Sequence, residues 1–521
     1  MNKILILAAL LAVAAPCAST ASDIIPRPLS ESVTADGRFH LSPKSTVAFS
    51  SDLKSQSDYL VSVIASSTGW DLKSTEGRKG TIVLSIDTIA APEAEGYQLT
   101  VTPKGVTIKG HDAAGVFYGI QTLLQLFPAK IYSPTRRTGV DWSAECVTIN
   151  DAPDYPWRGM MLDAARYYYE PEYVKRFIDM MAMYKLNKLQ FHFIDDSGWR
   201  LESKKYPRLT EVGAWAGEGD ERIGGFYTQE QIRDIIDYAA VRGVEIIPEI
   251  EFPAHILSAV VAYPWLSCTG EQHKVPRQHF ISRDLICPGK ESSLKFLRDI
   301  LDETADLFPS RYINIGGDEA VYTRWEQCPD CQALMKRLGM TKASELQGWL
   351  TNQVAEWMKE RGRTVIGWEE IILRGDVSTP VVGLIWHNPS DSIVAKPGGH
   401  KAILTPASHL YFDFPESSLP GEPQHATWMP PISVKKAYNM PLKDHSPDGT
   451  VIGVQGCMWS DQFIHNNGAL QDIAPINENR SMQYVEHFTM PRMLALAELG
   501  WTPQAGRDYA DFNARLAGHF P

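Results

Sequence analysis

The sequence predicts an α/β protein in which a (β/α)8 TIM barrel follows a small α+β domain. From residue 153 onward, short apolar runs typical of buried strands alternate with longer segments typical of helices, and about eight such units follow in order. The strand-like runs cover residues 158–163, 188–194, 244–250, 312–315, 364–367, 381–385, 401–404 and 451–454. A doubly wound sheet is the alternative, but no strand here is followed by the G-x-G-x-x-G loop that usually accompanies that fold.

Apolar residues at helical spacing predict the helices. Residues 172–186 carry such a stripe, and another helix begins at Thr228, where Thr228 and Gln231 form a capping-box pattern. In the first part of the chain, residues 113–127 show the same spacing. That helix follows several short runs with strand-like alternation, which together indicate the α+β domain.

The chain divides into three predicted segments: a leader at 1–21, the α+β domain at 22–150 and the barrel at 151–521. In the leader, Lys3 precedes a short apolar run, and small residues ending at Ala21 offer a cleavage site. Cys17 offers lipid attachment as the alternative, although the preceding proline fits that signal poorly. We expect an exported protein of the periplasm or cell surface, with a lipoprotein as the less favoured form.

Charge and hydropathy exclude several classes of partner. The 521-residue chain has a formal net charge of -12 and 44% hydrophobic residues. Such an acidic protein is not expected to bind nucleic acid or anionic membrane surfaces. No apolar run after the leader is long enough to span a membrane. The sequence leaves the oligomeric state open.

Six of the seven cysteines follow the leader. Cys328-Pro-Asp-Cys331 has no second Cys or His pair close to it in the sequence, which argues against a zinc site. In an oxidising compartment we expect a local disulfide between Cys328 and Cys331, with Cys268 and Cys287 as a second pair. Two pairs of free thiols are the alternative. We predict no metal and no catalytic role for either pair.

The segment 313–319 ends a strand-like run with two glycines and two adjacent carboxylates, Asp318 and Glu319. Catalytic acids often follow the end of a barrel strand. Adjacent residues of an extended chain point to opposite faces, so the two carboxylates should have different roles unless Gly316 and Gly317 twist the backbone.

Polar and aromatic residues recur at the C-terminal ends of the predicted strands, where barrel enzymes carry their active sites. They are Asp163, Arg166, Asp195, Asp196, Glu249, Glu251, His255, Asp318, Glu319, Trp368, Glu369, Glu370, Trp386, His387, Trp459 and Asp461. A single carboxylate at such a position often only caps the next helix, but this recurrence predicts a functional site. Carboxylates with tryptophans suggest a glycoside hydrolase, because indole rings fit the apolar faces of sugars.

A metal site is the alternative for the same rim. It would recruit His255 with Glu249 and Glu251. These residues lack the H-E-x-x-H spacing on a helix that such a site commonly uses, so we disfavour it.

Motifs in consistent order carry a resemblance to a known family. They are Arg158-Gly159 with Leu162-Asp163 and Arg166; His192 with Asp195-Asp196-Ser197-Gly198-Trp199-Arg200; Pro248-Glu249-Ile250-Glu251-Phe252-Pro253-Ala254-His255; Gly316-Gly317-Asp318-Glu319; Gly367-Trp368-Glu369-Glu370; Tyr411-Phe412-Asp413; and Pro491-Arg492-Met493 through Trp501-Thr502-Pro503. These resemble the motifs of family 20 glycoside hydrolases, the β-N-acetylhexosaminidases. The resemblance implies an exo-acting retaining enzyme without a cofactor, which releases terminal non-reducing N-acetylglucosamine or N-acetylgalactosamine from glycans.

The resemblance also implies substrate-assisted catalysis, in which the acetamido oxygen of the substrate attacks the anomeric carbon and forms an oxazolinium intermediate. Glu319 would be the general acid and then the general base. Asp318 would accept the acetamido N–H, and Tyr411 would donate to the acetamido oxygen. This division requires a raised pKa at Glu319 and an ionised Asp318.

Further binding roles follow from the same resemblance. It assigns Arg158 to the 3- and 4-hydroxyls, Asp195 and His255 to support of the acid pair, Trp368, Trp386 and Trp459 to the walls, and Asp413 to outer hydroxyls. Where the family commonly places Glu two positions after Trp459, this chain has Asp461, which is one methylene shorter. Either a backbone adjustment restores the contact, or tolerance at C4 or C6 of the sugar changes.

Two other functions stay open. One is a glycan-binding barrel without catalysis, against which the intact Asp318, Glu319 and Tyr411 argue. The other is a β-glycosidase with an ordinary carboxylate nucleophile, for which Glu249 or Glu369 is the candidate.

Overall fold

The computed structural model describes residues 22–219, 222–277, 280–387, 398–423, 425–442, 449–463 and 478–519. These residues form a seven-stranded mixed sheet and a closed barrel of eight parallel strands, as the sequence predicts. No helix within the described ranges is long and apolar enough to cross a membrane. The leader predicted at 1–21 lies outside those ranges and stays a prediction.

The N-terminal sheet has its strands in the order β1-β7-β5-β6-β4-β2-β3; the strands are β1 (Ser30–His40), β2 (Thr46–Phe49), β3 (Lys73–Glu76), β4 (Ile82–Ile86), β5 (Tyr97–Thr102), β6 (Gly105–Gly110) and β7 (Ser143–Asp151). Helices α1 (Lys54–Thr68) and α2 (Ala113–Leu126) pack against it. Buried residues alternate with half-exposed ones along β6, which is the pattern of a sheet with one covered face. Asp112 begins α2 by accepting the Gly115 backbone N–H at 2.8 Å.

The barrel is formed by eight strands that match the eight predicted runs: β8 (Trp157–Asp163), β9 (Lys188–His192), β14 (Glu245–Glu249), β15 (Tyr312–Asn314), β16 (Thr364–Trp368), β17 (Val382–Ile385), β18 (Lys401–Leu404) and β19 (Val451–Met458). Pairing of β19 with β8 closes it. The loop after β9 carries two short hairpins, formed by β10 (Ile194–Asp195) with β11 (Gly198–Trp199) and by β12 (Trp215–Ala216) with β13 (Ile223–Gly224).

Helices follow most of the barrel strands: α3 (Pro171–Met183), α4 (Arg208–Glu211), α5 (Gln229–Val241), α6 (Leu257–Ala262), α7 (Glu291–Leu307), α8 (Thr323–Gln327), α9 (Pro329–Leu338), α10 (Glu345–Glu360), α11 (Glu370–Leu373), α12 (Ala407–Leu410), α13 (Val434–Tyr438), α14 (Glu478–Thr489), α15 (Arg492–Trp501) and α16 (Tyr509–His519). The predicted capping box at the start of α5 is confirmed. Thr228 Oγ1 accepts the Gln231 N–H at 3.1 Å, and the Gln231 side chain accepts the Thr228 N–H at 2.9 Å. After β16 and β18 the helices α11 and α12 have only four residues each, so the outer layer is irregular there.

Buried charges join the N-terminal unit to the barrel at the N-terminal end of the strands. Arg158, the second residue of β8, donates to the carbonyl oxygens of Lys185 at 2.9 Å and Tyr155 at 2.7 Å. It also pairs with Glu95 at 2.7 Å. Lys185 pairs with Asp151 at 3.0 Å, and both of these side chains are fully buried. This end of the barrel is therefore occupied by the contact between the two units.

Candidate active site

The acid pair lies just beyond β15, and the glycines twist the chain so that both carboxylates face the same imidazole. Gly316 and Gly317 have φ angles of +60° and +97°, and a Cβ at Gly316 would overlap the carboxylate of Glu251. Glu319 itself has a φ of 51°. Asp318 Oδ2 and Glu319 Oε2 consequently lie 3.6 Å and 3.4 Å from Nε2 of His255. The sequence-based expectation of opposite faces holds only for extended backbone, and here the backbone is not extended.

His255 is the centre of the charge network. Its Nδ1 lies 3.6 Å from Asp195 Oδ1 and 3.6 Å from Asp196 Oδ2, on the side opposite the acid pair. Burial by itself lowers the pKa of His255, but the carboxylates of Asp195 and Asp318 outweigh it and raise the pKa well above its ordinary value. The imidazole is therefore a buried cation between four carboxylates.

Arg166, at the C-terminal end of β8, completes this network. Its guanidinium pairs with Asp195 at 2.6 Å and Asp163 at 3.3 Å, and it lies 5.0 Å from the centre of the Trp459 ring. Burial raises the pKa of Asp195, but Arg166 and His255 oppose this strongly and hold it well below its ordinary value. The assignment of Arg158 to sugar hydroxyls is wrong, because that residue is buried at the opposite end of β8, about 16 Å along the strand from Asp163. Arg166 is the arginine at the site.

Below the acid pair, Glu249 and Glu251 are buried and already bound. Glu249 accepts from Nδ1 of His192 at 2.6 Å and from the Gln190 side chain at 2.8 Å. Glu251 accepts the Gly317 backbone N–H at 2.8 Å and so fixes the glycine loop. Both Glu249 contacts are made by Oε2 and its side chain is fully buried, which argues against it as a nucleophile.

The structure brings together aromatic side chains at or just after the ends of three barrel strands and one that follows α12. The rings of Trp368 and Trp459 lie 5.6 Å apart, and Trp386 stacks on Tyr411 at 6.3 Å with an interplanar angle of 10°. Tyr411 also contacts Trp459 edge-on at 5.9 Å. Trp428, which sequence reasoning missed, meets Tyr411 at 6.3 Å and is 58% exposed. It lies in an irregular loop, so no periodic pattern marked it.

Asp413 and Asp461 belong to the same site. Asp413 is 2% exposed, and burial first and the charge of Asp461 second raise its pKa well above the ordinary value. Asp461 accepts from the Gln462 side chain at 3.0 Å, and its charge also acts on Arg166. In the described part of the chain, Asp413 Oδ1 and Asp318 Oδ1 are buried without a hydrogen-bond partner. Such atoms are suited to ligand hydroxyl and amide donors.

The acid pair has the opposite order of pKa values from the one expected. Burial raises the pKa of Asp318 to about 7; His255 opposes this, while Glu370 and Glu319 add to it. The imidazole of His255, whose Nε2 lies 3.4 Å from Glu319 Oε2, lowers the pKa of Glu319. Glu319 is 41% exposed, compared with 15% for Asp318. The expectation of a raised pKa at Glu319 is therefore wrong for the protein without substrate.

Acid and histidine groups within 4.8 Å of one another occur at three places in the described rim: His192 with Glu249 and Glu251, His255 with Asp195 and Asp196, and His255 with Asp318 and Glu319. The surrounding carboxylates raise the pKa of His255 well above its ordinary value and that of His192 to about 10. Both imidazoles therefore belong to the charge network of the rim as hydrogen-bond donors to carboxylates.

The four cysteines outside this rim do not form the predicted pairs. Cys268, Cys287, Cys328 and Cys331 have their sulfur atoms within 4.8 Å of one another, and no disulfide joins them. The conclusion that the Cys328-x-x-Cys331 motif lacks a second pair is wrong, because the fold brings that pair from the loop after β14, which is distant in sequence.

The geometry as a whole narrows the class of protein. Two carboxylates at the C-terminal end of a parallel barrel, set between flat aromatic walls, are the groups that acid-catalysed cleavage of a sugar needs. The rim is that of a barrel hydrolase for carbohydrates.

Comparison with known proteins places the chain more narrowly. The family model described as "Glycosyl hydrolase family 20, catalytic domain" matches residues 155–504, and the model of domain 2 of that family matches residues 21–152. The chain belongs to glycosyl hydrolase family 20. Its N-terminal sheet and its barrel thus correspond to two domains that the family combines.

Individual relatives agree. The chain is 36% identical over 503 residues to a β-hexosaminidase of Porphyromonas gingivalis. This alignment covers 95% of this chain and 62% of the relative. The crystal structure of an exo-β-N-acetylglucosaminidase from Vibrio harveyi matches with a TM-score of 0.83 and 32% identity, covering 96% of this chain and 77% of that one. A Streptomyces plicatus N-acetyl-β-hexosaminidase matches with a TM-score of 0.81 and 28% identity, covering 96% and 95%. The chain thus spans less than two thirds of the length of the Porphyromonas relative.

Replacement of the two arginines of this strand region should have different consequences. We expect Arg166→Met to lower kcat/KM on an aryl N-acetyl-β-glucosaminide by about 10²-fold, because Asp195 loses a charged hydrogen bond worth roughly 1.5–3 kcal/mol. Arg158→Met should lower the melting temperature but change KM by less than about twofold, since it lies far from the site. Steady-state kinetics and thermal unfolding of both variants test this, and equal kinetic losses would contradict it.

Proposed function

We propose that the protein is an exo-acting, retaining β-N-acetylhexosaminidase that releases terminal non-reducing N-acetylglucosamine or N-acetylgalactosamine from glycans. The observation that carries this proposal is the convergence of Asp318 and Glu319 on His255 beside Tyr411, within aromatic walls. Family membership and the similarity to a Vibrio harveyi enzyme solved with N-acetylglucosamine support it. No cofactor has a role in this chemistry.

Exposure separates the roles of the two acids. Glu319 is 41% exposed and faces the open side, where the leaving group departs. Asp318 is enclosed, with its free Oδ1 available to the acetamido N–H. Tyr411 is buried beside Trp459, and in the proposed reaction its hydroxyl donates to the acetamido oxygen. Asp318 is thus the more buried acid and Glu319 the more exposed one. This differs from an arrangement in which the two carboxylates lie on opposite faces of the sugar ring.

The reaction proceeds in two steps. First the acetamido oxygen of the substrate attacks the anomeric carbon while Glu319 protonates the departing glycosidic oxygen, giving an oxazolinium ion whose N–H donates to ionised Asp318. Then water attacks the anomeric carbon from the vacated side, Glu319 accepts its proton, and the acetamido group is restored. Two displacements on the same carbon retain the β configuration.

The pair must exchange a proton for this to occur. By itself the protein holds one proton on Asp318 below about pH 7 and an ionised Glu319. An acetamido N–H beside Asp318 favours its ionised form, and the partly exposed Glu319 loses water when a glycan covers it, which favours its protonated form. The pair therefore titrates as a unit that carries one proton in its active range.

Polar groups at the site support exo action. Asp413 and Asp461 lie there, beside Arg166 and the Trp459 ring. In the proposed complex these polar groups bind the hydroxyls of one terminal sugar. We propose that the leader predicted at 1–21 directs the enzyme to the periplasm or the cell surface; fractionation of cells expressing the full chain tests that location.

Replacing the acid tests the function. We expect Glu319→Gln to lower kcat on substrates with poor leaving groups by about 10²-fold or more, and to affect activated aryl leaving groups much less, because these need little protonation. Kinetics on a series of aryl N-acetyl-β-glucosaminides measure the dependence. Glu326→Gln, an identical change on the exposed side of α8, is the matched control. A uniform loss across leaving groups would exclude Glu319 as the acid.

The pH profile tests the shared proton. The one-proton state exists below about pH 7, where Asp318 in the free protein loses its proton, and above the lowered pKa of Glu319. We therefore expect kcat/KM to fall tenfold per pH unit above about pH 7. Asp318→Asn should lower kcat/KM by about 10²-fold or more and move this limb to lower pH, since only Glu319 then holds the proton. An unchanged alkaline limb in Asp318→Asn would disprove the shared proton.

Asp461 tests which sugars are accepted. If the shorter carboxylate leaves space at C4 and C6, the protein should accept axial 4-hydroxyl or 6-sulfated sugars better than Asp461→Glu does. A shifted hydrogen bond to a charged group would change relative kcat/KM by about ten- to a hundredfold. Gluco, galacto and 6-sulfated aryl substrates compared on both proteins measure this. Identical preferences would show that the backbone absorbs the difference.

A further inference from the structure

The strongest unassigned feature is the cluster of Cys268, Cys287, Cys328 and Cys331, which is separate from the catalytic rim. Its sulfur atoms come from two segments: Cys268 and Cys287 from the loop after β14, and Cys328 and Cys331 from the start of α9. The distances between sulfurs are 3.8 Å for Cys268–Cys331, 3.5 Å for Cys287–Cys331 and 3.7 Å for Cys287–Cys328. Each of these contacts joins the loop to the helix start.

These distances fit a tetrahedral metal site. In tetrahedral zinc–thiolate sites the Zn–S distance is about 2.3 Å, so two ligand sulfurs are about 3.8 Å apart. A disulfide instead brings one pair to about 2.05 Å. In the cluster Cys287 approaches Cys328 and Cys331 almost equally, at 3.7 Å and 3.5 Å, so the geometry selects neither as its disulfide partner.

The backbone around the sulfurs is shaped for the same purpose. A Cβ at Gly289 would lie 2.6 Å from the backbone nitrogen of Cys331, so only glycine lets the Cys287 loop lie against the turn that starts α9. Cys328 and Cys331 lie at the N-terminus of α9, where the helix dipole favours thiolates.

The environment is closed. Cys287, Cys328 and Cys331 are buried, and they form an apolar cluster with Trp325 and Leu334, among others, that is distinct from the main core. Cys268 is half-buried at its edge. Four cysteine ligands fill a tetrahedron and leave no position for water or substrate, which is the pattern of a structural rather than a catalytic site.

We propose that Cys268, Cys287, Cys328 and Cys331 bind one structural Zn²⁺ that joins the loop after β14 to the segment after β15. The first of these carries His255, and the second carries Asp318 and Glu319. Backbone hydrogen bonds connect the cluster to the site, since the Ile286 N–H donates to Pro253 O at 3.0 Å and the Trp325 side chain donates to Ile286 O at 3.0 Å. The metal thus fixes the distance between the two loops that carry the catalytic groups.

Metal content of the full chain is the direct test. We expect elemental analysis of protein purified without added metal to give about one zinc per chain, and X-ray absorption to give four sulfur ligands at about 2.3 Å. Titration with an organomercurial should release the zinc in step with four thiols. Two outcomes would overturn the proposal: an intact mass about 4 Da below that of the reduced chain without metal, which means two disulfides, or stoichiometric iron in place of zinc.

Variants test the ligands individually. We expect the Cys331→Ser variant to contain no zinc. Its half-life of thermal inactivation should be shorter by about tenfold or more, because the metal no longer joins the two loops. Cys146→Ser, in β7 of the N-terminal sheet, is the matched control and should retain both zinc and half-life. Full zinc retention in Cys331→Ser would contradict the proposal. If that variant does not fold, the metal content and X-ray absorption of the unaltered protein decide the question.

Discussion

The buried charge of His255 is the constraint on which the rest of the site depends. An imidazolium without water is stable only among carboxylates, and here Asp195 and Asp196 face one nitrogen while Asp318 and Glu319 face the other. Both His255 and Glu319 adopt positive φ angles, of 49° and 51°. Backbone of this kind persists only where the surroundings determine it, so the geometry of the acid pair depends on the packing of the loops after β14 and β15.

The same cation explains the order of the two acids. His255 stabilises the ionised, partly exposed Glu319, whereas burial dominates at Asp318 and keeps its proton. In the proposed reaction the substrate adds a second partner for Asp318, first the acetamido N–H dipole and then the positive charge of the oxazolinium ion. A buried carboxylate binds the positively charged oxazolinium ion more strongly than the neutral substrate. Stronger binding of the charged species is the condition for catalysis.

Local patterns made most of the fold predictable, and long-range contacts account for what was missed. The eight strands and their polar C-terminal ends follow from short apolar runs and the residues just after them. Arg158 and Arg166 belong to one motif, but only Arg166 lies beyond the C-terminal end of β8. Position along the strand therefore decides which arginine lies at the site, and the motif alone does not. Trp428 gave no periodic signal, and the cysteine pairs are joined only by folding, since Cys268 and Cys331 are 63 residues apart.

The cysteine cluster and the His255 network act on the same two loops from different sides. The apolar cluster around the cysteines is small and separate from the main core, so burial of apolar surface alone stabilises the contact between these loops only weakly. The charges at His255 attract the loops but also require a narrow range of distances, because carboxylates that move away leave a buried cation unpaired. Four thiolates on one proposed zinc ion would supply the missing rigidity, since metal–ligand bonds restrict distance far more than apolar contact does. The proposed zinc ion would thus fix the separation of the loops after β14 and β15. That separation keeps His255 charged and holds Asp318 and Glu319 in place beside it.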